Sequence, residues 1–146
     1  MIVHLKQFAQ LQVLEWHKII SLRAEVFVVE QNCVYQDPDV YDIDSLHLWF
    51  EDEFECFAYL RIIPPNTENN YWKIGRVLVK SNRRSQGMGN ALMKSALTHL
   101  GSSATIHISA QRYLIKFYEN LGFTAKGDTY LEDGIPHVFM IRAGVD

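Results

Sequence analysis

The fold is decided by Val79-Lys80-Ser81-Asn82-Arg83-Arg84-Ser85-Gln86-Gly87-Met88-Gly89-Asn90-Ala91-Leu92. An apolar, β-branched run ending at Val79 leads into a basic, glycine-bearing turn. The turn opens an amphipathic helix over Gly89–Leu100, with Leu92, Met93, Ala96, Leu97 and Leu100 at helical spacing and Gly101 as its stop. Backbone N–H groups in a first helical turn lack internal partners and lie at the positive end of the helix dipole. With glycine allowing close approach, such a strand–turn–helix unit is built to hold phosphate. Gly-Lys-Ser/Thr is absent, as is the three-glycine dinucleotide pattern with its downstream acid.

Working outward, Trp72–Val79 reads as the strand before the turn, and Thr105–Ala110 as the strand after the helix. Gln111–Leu121 reads as a second amphipathic helix closed by Gly122. Phe123–Leu131 and His137–Arg142 read as two strands around Asp133-Gly134-Ile135-Pro136. Towards the N-terminus, Leu11, Leu14, Ile19, Leu22 and Val26 mark a helix over 10–28. The segment 32–44, with Pro38 and four aspartates, reads as a loop. Strands at Leu46–Glu51 and Phe54–Ile63 follow, rich in Trp49, Phe50, Phe57 and Tyr59. The order β α β β β α β α β β, with hairpins at both ends, is that of an α+β sheet covered by helices.

The 146 residues suit one domain, 1–146, able to bury a core without metal or disulfides. Cys33 and Cys56 form no secreted framework. The start lacks a signal-peptide pattern and no apolar stretch approaches membrane-spanning length, so the expected location is cytoplasmic. The formal charge of -3 hides an uneven distribution. Residues 24–60 carry ten acids and no Lys or Arg, whereas residues 61–126 carry ten Lys or Arg against Glu68 and Glu119. A plain nucleic-acid binder would be basic overall, so the split points instead to two partners of opposite charge. No His or Cys spacing suits a metal, and Gly-x-Ser-x-Gly is absent.

Arg84-x-x-Gly87-x-Gly89 after a strand resembles the acyl-CoA pyrophosphate motif of the GNAT acetyltransferase superfamily. Ala110-Gln111, Phe117-Tyr118 and Leu121-Gly122-Phe123 resemble the segment that follows it there. Arg23-x-x-Val26-Phe27-Val28-Val29-Glu30-Gln31, Tyr35-Gln36-Asp37 and Glu132-Asp133-Gly134-Ile135-Pro136-His137 look like the ElaA-type branch. The resemblance implies a mixed, largely antiparallel sheet of about seven strands flanked by helices, with a splayed central strand pair. It implies acetyl-CoA as donor cosubstrate, no metal, and transfer to a primary amine in a direct ternary complex. Arg84, Ser85, Gln86, Gly87, Met88, Gly89 and Asn90 would hold the pyrophosphate. The backbones of Val77 and Val79 would hold the pantetheine arm and the thioester oxygen. Tyr118 would protonate the leaving thiolate.

For the base, the residues leave Glu30, His47 and His137 open, and the resemblance adds ordered water; Glu30 follows an apolar run and partial burial would raise its pKa. Arg23 is read as pairing with Glu30 or a nearby aspartate, and Arg76 as facing either the site or solvent. Lys80, Arg83 and Arg84 would favour a polyanionic donor, and the acidic half a cationic acceptor. The expected partners are acetyl-CoA, a small-molecule or peptide amine and, in a homodimer, a second copy; neither nucleic acid nor membrane is expected. Two alternatives stand beside this reading: an acyl-homoserine-lactone-synthase-like enzyme using an acyl-carrier donor, and a CoA-binding sensor without turnover.

Overall fold

The structure, a computed structural model, describes all residues from Met1 to Asp146. One sheet runs through the chain, built from β1 (Ile2–Gln7), β2 (Leu46–Glu51), β3 (Cys56–Ile63), β4 (Trp72–Val79), β5 (Ile106–Gln111), β6 (Thr124–Glu132) and β7 (Ile135–Arg142). The strand order is β1-β2-β3-β4-β5-β7-β6, antiparallel throughout except for the parallel β4–β5 pair. This is the mixed seven-stranded α+β sheet that the resemblance implies.

Alternation along the strands gives the sheet two buried faces. Leu48, Phe50, Leu60 and Ile62 point to one face and pack with α3 (Met88–Leu100) and the α4 segment (Ile115–Glu119). Leu92 of α3 is fully buried there, a burial that stabilises by about 1.5–3 kcal/mol. Trp49, Tyr59 and Leu78 point to the other face, against Ile19, Leu22 and Val26. Those three belong to α1 (Val13–Arg23) and its continuation in wider π-type turns, Ala24–Glu30.

Element ends differ from the periodicity reading where a local hydrogen bond decides them. α1 begins at Val13, three residues after the expected start, because the Glu15 carboxylate accepts the Gln12 N–H at 2.9 Å. The expected loop 32–44 ends in a short helical turn, α2 (Tyr41–Asp44), after Asp39 accepts the Tyr41 N–H at 3.1 Å. The helix expected over Gln111–Leu121 is a 3₁₀ turn, Arg112–Leu114, followed by the five residues of α4. It stops where Gly122 adopts φ 94° and the Phe123 N–H returns to the Tyr118 carbonyl. Asp133 and Gly134 both have positive φ, 52° and 76°, so they alone form a two-residue hairpin turn and Pro136 already belongs to β7.

Two irregularities in β4 prepare the site. Its pairing with β5 is confined to Trp72–Ile106 and Lys73–His107, beyond which the strands splay. Its pairing with β3 slips between Tyr59–Leu78 and Arg61–Gly75, placing Arg76 and Val77 opposite Leu60 alone. Arg76 at the bulge has φ 54°.

Candidate active site

The splay opens a cleft of about 510 Å³. One wall is the turn and first residues of α3: Arg84, Ser85, Gly87, Met88, Gly89 and Asn90. Gly87 caps α3 in the left-handed region, φ 78°, with no side-chain cap and no acid in the first turn. No turn or cap hydrogen bond is donated by the backbone of residues 85–90. Uncompensated N–H donors therefore sit in a segment that lines the cleft at residues 84, 85 and 87–90. Phe117 packs against this wall, and a Cβ on Gly89 would lie 3.7 Å from its ring.

Val77 and Val79 line the cleft from the bulged strand. The Val79 carbonyl accepts from Arg84 Nε at 2.8 Å. Tyr118 enters from α4, 5 % exposed, with its rings packed edge-on to Phe117 and Phe123. Burial, reinforced by Tyr113, pushes the Tyr118 phenol above its usual range, so at neutral pH it is a proton donor. The cleft thus places an anion-binding turn, a bulged strand and a buried phenol together, the parts that acyl transfer from a polyanionic thioester needs.

Of the seven residues the resemblance assigns to the pyrophosphate, Gln86 alone stays off the cleft wall. Glu30 lines the cleft but lacks the burial expected of it: it is exposed, and both its oxygens are held by Arg84, at 2.6 and 3.0 Å. His137 reaches the cleft from β7, with Nδ1 2.7 Å from the Ile135 carbonyl. His47 does not reach it. That ring is in the core, between the Tyr59 hydroxyl at 2.7 Å and the Asp42 carbonyl at 2.9 Å, and burial keeps it neutral. Of the aromatic residues Tyr35, Tyr41, Trp49, Trp72 and Tyr130, only Tyr35 lines the cleft. Cys33 and Cys56 are both free thiols.

Sequence reasoning missed the device under the bulge. Arg23, fully buried, pairs with Asp37 at 2.7 Å and Asp42 at 2.6 Å, the aspartate alternative of the sequence reading and not Glu30. Arg61 pairs with Asp39 and Asp42 at 2.6 and 3.0 Å. Arg76 faces the cleft and donates to Asp37 at 2.8 Å and Asp39 at 3.3 Å. Three guanidinium groups and three carboxylates cancel one another behind the bulge, with the Tyr35 hydroxyl donating to Asp37 at 2.7 Å. The one available signal was the cluster of aspartates in a loop bearing Pro38. Ser109 and Glu132, which line the β5–β7 wall, were also passed over as site residues.

The acetyltransferase (GNAT) domain family matches residues 8–143. This chain belongs to the GNAT acetyltransferase family. Within that family, ElaA of Escherichia coli is 38 % identical over 141 residues, 92 % of this chain and 91 % of ElaA. Its crystal structure superposes with a TM-score of 0.86, covering 97 % of this chain and 99 % of that one. A UPF0039 protein of Schizosaccharomyces pombe is 41 % identical over 140 residues, 92 % of each chain. The crystal structure of an acyl-CoA N-acyltransferase from Pseudomonas aeruginosa shares 38 % identity and a TM-score of 0.91, over 98 % of this chain and all of that one. The chain is thus a GNAT protein of the ElaA-like branch, from a family of acyl-CoA-dependent acyltransferases. No helix in it is long and apolar enough to cross a membrane.

Proposed function

We propose that the whole chain, 1–146, is one cytoplasmic N-acetyltransferase domain that moves an acetyl group from acetyl-CoA to a primary amine in a direct ternary complex. The observation that carries this is the opening of the uncapped α3 N-terminus and the buried Tyr118 phenol into the same cleft. The N–H groups of residues 85–90 hold the pyrophosphate, and the Val77 and Val79 backbones on the splayed strand hold the pantetheine arm. A backbone N–H aimed at the developing oxyanion favours the tetrahedral intermediate over the ground-state carbonyl. Tyr118 protonates the departing thiolate. His137 is the preferred base, since Glu30 is engaged by Arg84 and His47 is in the core.

Thiol release across a panel of amines, with acetyl-CoA as donor, tests the reading. Tyr118→Phe is expected to slow acetylation by roughly 10²-fold while CoA affinity by calorimetry stays within about twofold. An unchanged rate removes Tyr118 from the mechanism. Wild-type protein that binds CoA and releases no thiol with any amine supports a sensor instead, and turnover only with an acyl-carrier donor supports the synthase alternative.

A further inference from the structure

Four polar side chains from three strands converge on the β5–β7 wall: Ser109, Tyr130, Glu132 and His137. The Ser109 hydroxyl bonds that of Tyr130 and lies 3.5 Å from Glu132 Oε2. The Tyr130 ring stacks over the imidazole of His137, centroids 6.1 Å apart and planes inclined by 25°.

His137 makes this wall chemically unusual. Its Nδ1 lies 2.7 Å from the Ile135 carbonyl oxygen. A carbonyl only accepts, so Nδ1 carries hydrogen and the neutral ring presents a lone pair at Nε2. That nitrogen lies 3.3 Å from Glu132 Oε2. With the ring neutral, two acceptors face each other and a donor is needed between them; with the ring protonated, Nε2–H itself donates to Glu132. Ser109 is already engaged with Tyr130 and Glu132. Across the cleft, Arg76 is neutralised by Asp37 and Asp39, so no free cation there competes for the carboxylate. An alkylammonium group meets the need, with several N–H bonds and the charge that a carboxylate binds most strongly.

We propose that His137 Nε2 and Glu132 Oε2 together bind the ammonium group of the acceptor, and that Glu132 is the residue selecting cationic primary amines over neutral nucleophiles. This rests on the acetyltransferase reading above. The ammonium gives one proton to His137 Nε2, forming an imidazolium beside the Glu132 carboxylate and a free amine. The nitrogen lone pair forms the C–N bond at the thioester carbonyl, and the C–S bond breaks. The thiolate takes the Tyr118 phenolic proton, and the surplus proton on the new amide nitrogen restores the phenol. The imidazolium proton leaves through Glu132, whose side chain is 51 % exposed, so one proton is released per transfer.

The test is a titration of full-length, ¹⁵N-histidine-labelled protein with n-butylammonium chloride, and separately with n-butanol at matched ionic strength. His137→Asn assigns the resonance. The His137 ring nitrogens are expected to shift saturably with n-butylammonium and not with n-butanol. Glu132→Gln, which keeps the size of a half-exposed side chain and removes its charge, is expected to weaken that binding about tenfold or more. CoA affinity measured on the same sample reports that the variant is folded. Equal affinity in wild type and Glu132→Gln, or no saturable shift, overturns the ammonium site. Saturable binding without thiol release from acetyl-CoA overturns the acetyltransferase reading and leaves the site standing.

Discussion

Arg76 holds a left-handed backbone, φ 54°, a conformation that costs a side-chain-bearing residue on the order of 1–2 kcal/mol. The ion pairs to Asp37 and Asp39 offset that cost and hold the bulge that turns Val77 into the cleft. Asp42 ties the same network to Arg23 and Arg61. Burial alone would raise its carboxyl pKa, but hydrogen bonds and charge from Arg23 hold it below the usual range, with Arg61 adding to them. Asp42→Ala leaves two buried guanidinium groups short of counter-charge and is expected to cost about 3–5 kcal/mol in urea unfolding. The sign with pH follows from the same groups. The stability tied to Asp39 and Asp42, both depressed, is present above the ordinary carboxylate range and is lost as pH falls through their folded values. The His47 pKa is lowered by burial, so its share is complete above about 6.5 and declines as pH drops below that. Wild-type protein is thus expected to unfold at lower urea at pH 5 than at pH 7. Of this network only the pairing of Arg23 with a nearby aspartate was legible in the string; Arg76 reads there as facing either the site or solvent, and its partners lie 37 and 39 positions away.

The turn into α3 was legible because its determinants are local: a β-branched strand, a basic turn, two glycines and a helical stripe, all within one stretch of chain. Its two glycines nevertheless do different work. At Gly87 a Cβ would meet nothing within 4 Å, but φ is 78°, so the constraint is conformational. At Gly89 the backbone is ordinary helix and a Cβ would touch Phe117 and Val79 at van der Waals distance. Gly87→Ala is therefore expected to lower stability by about 1 kcal/mol, and Gly89→Ala to leave it within about 0.5 kcal/mol, in thermal melts. Both are expected to weaken CoA binding by calorimetry, because each alters the wall that carries the free N–H groups. Elements whose limits depend on distant partners were read less well. α4 is short because β5 runs on to Gln111 and the Gly122 cap cuts the helix early. The aromatic residues of β2 and β3 read as strand, yet only the sheet order showed that Trp49 and Tyr59 face α1 and not the cleft.

Across the whole molecule, the charge division in the sequence has a different meaning in space. The acidic stretch was expected to face a cationic acceptor and the basic stretch a polyanion. Instead the two stretches neutralise each other: Asp37 with Arg76, Asp39 and Asp42 with Arg61, Asp52 and Glu55 with Arg83, Glu55 with Lys80, and Glu30 with Arg84. Of Lys80, Arg83 and Arg84, only Arg84 reaches the cleft. The total charge and the stretch charges are properties of the string; which acid meets which base is a property of the sheet order. Because β3 and β4 are neighbours joined through the loop at 64–71, the division falls at a natural place to cut. A fragment of residues 1–66 carries a net charge of -7 and one of residues 67–146 a net charge of +4. Produced as two chains, they are expected to find each other by long-range attraction and to rebuild the β3–β4 seam. Their association rate should fall steeply as added salt shortens the screening length from about 30 Å at 0.01 M to about 8 Å at 0.15 M. Stopped-flow mixing at several ionic strengths measures this, and a rate indifferent to salt would show that the charges serve only the finished fold. Fragments that associate in this way would turn the scaffold into a two-piece reporter, with recognition between the halves preceding the cleft they build together.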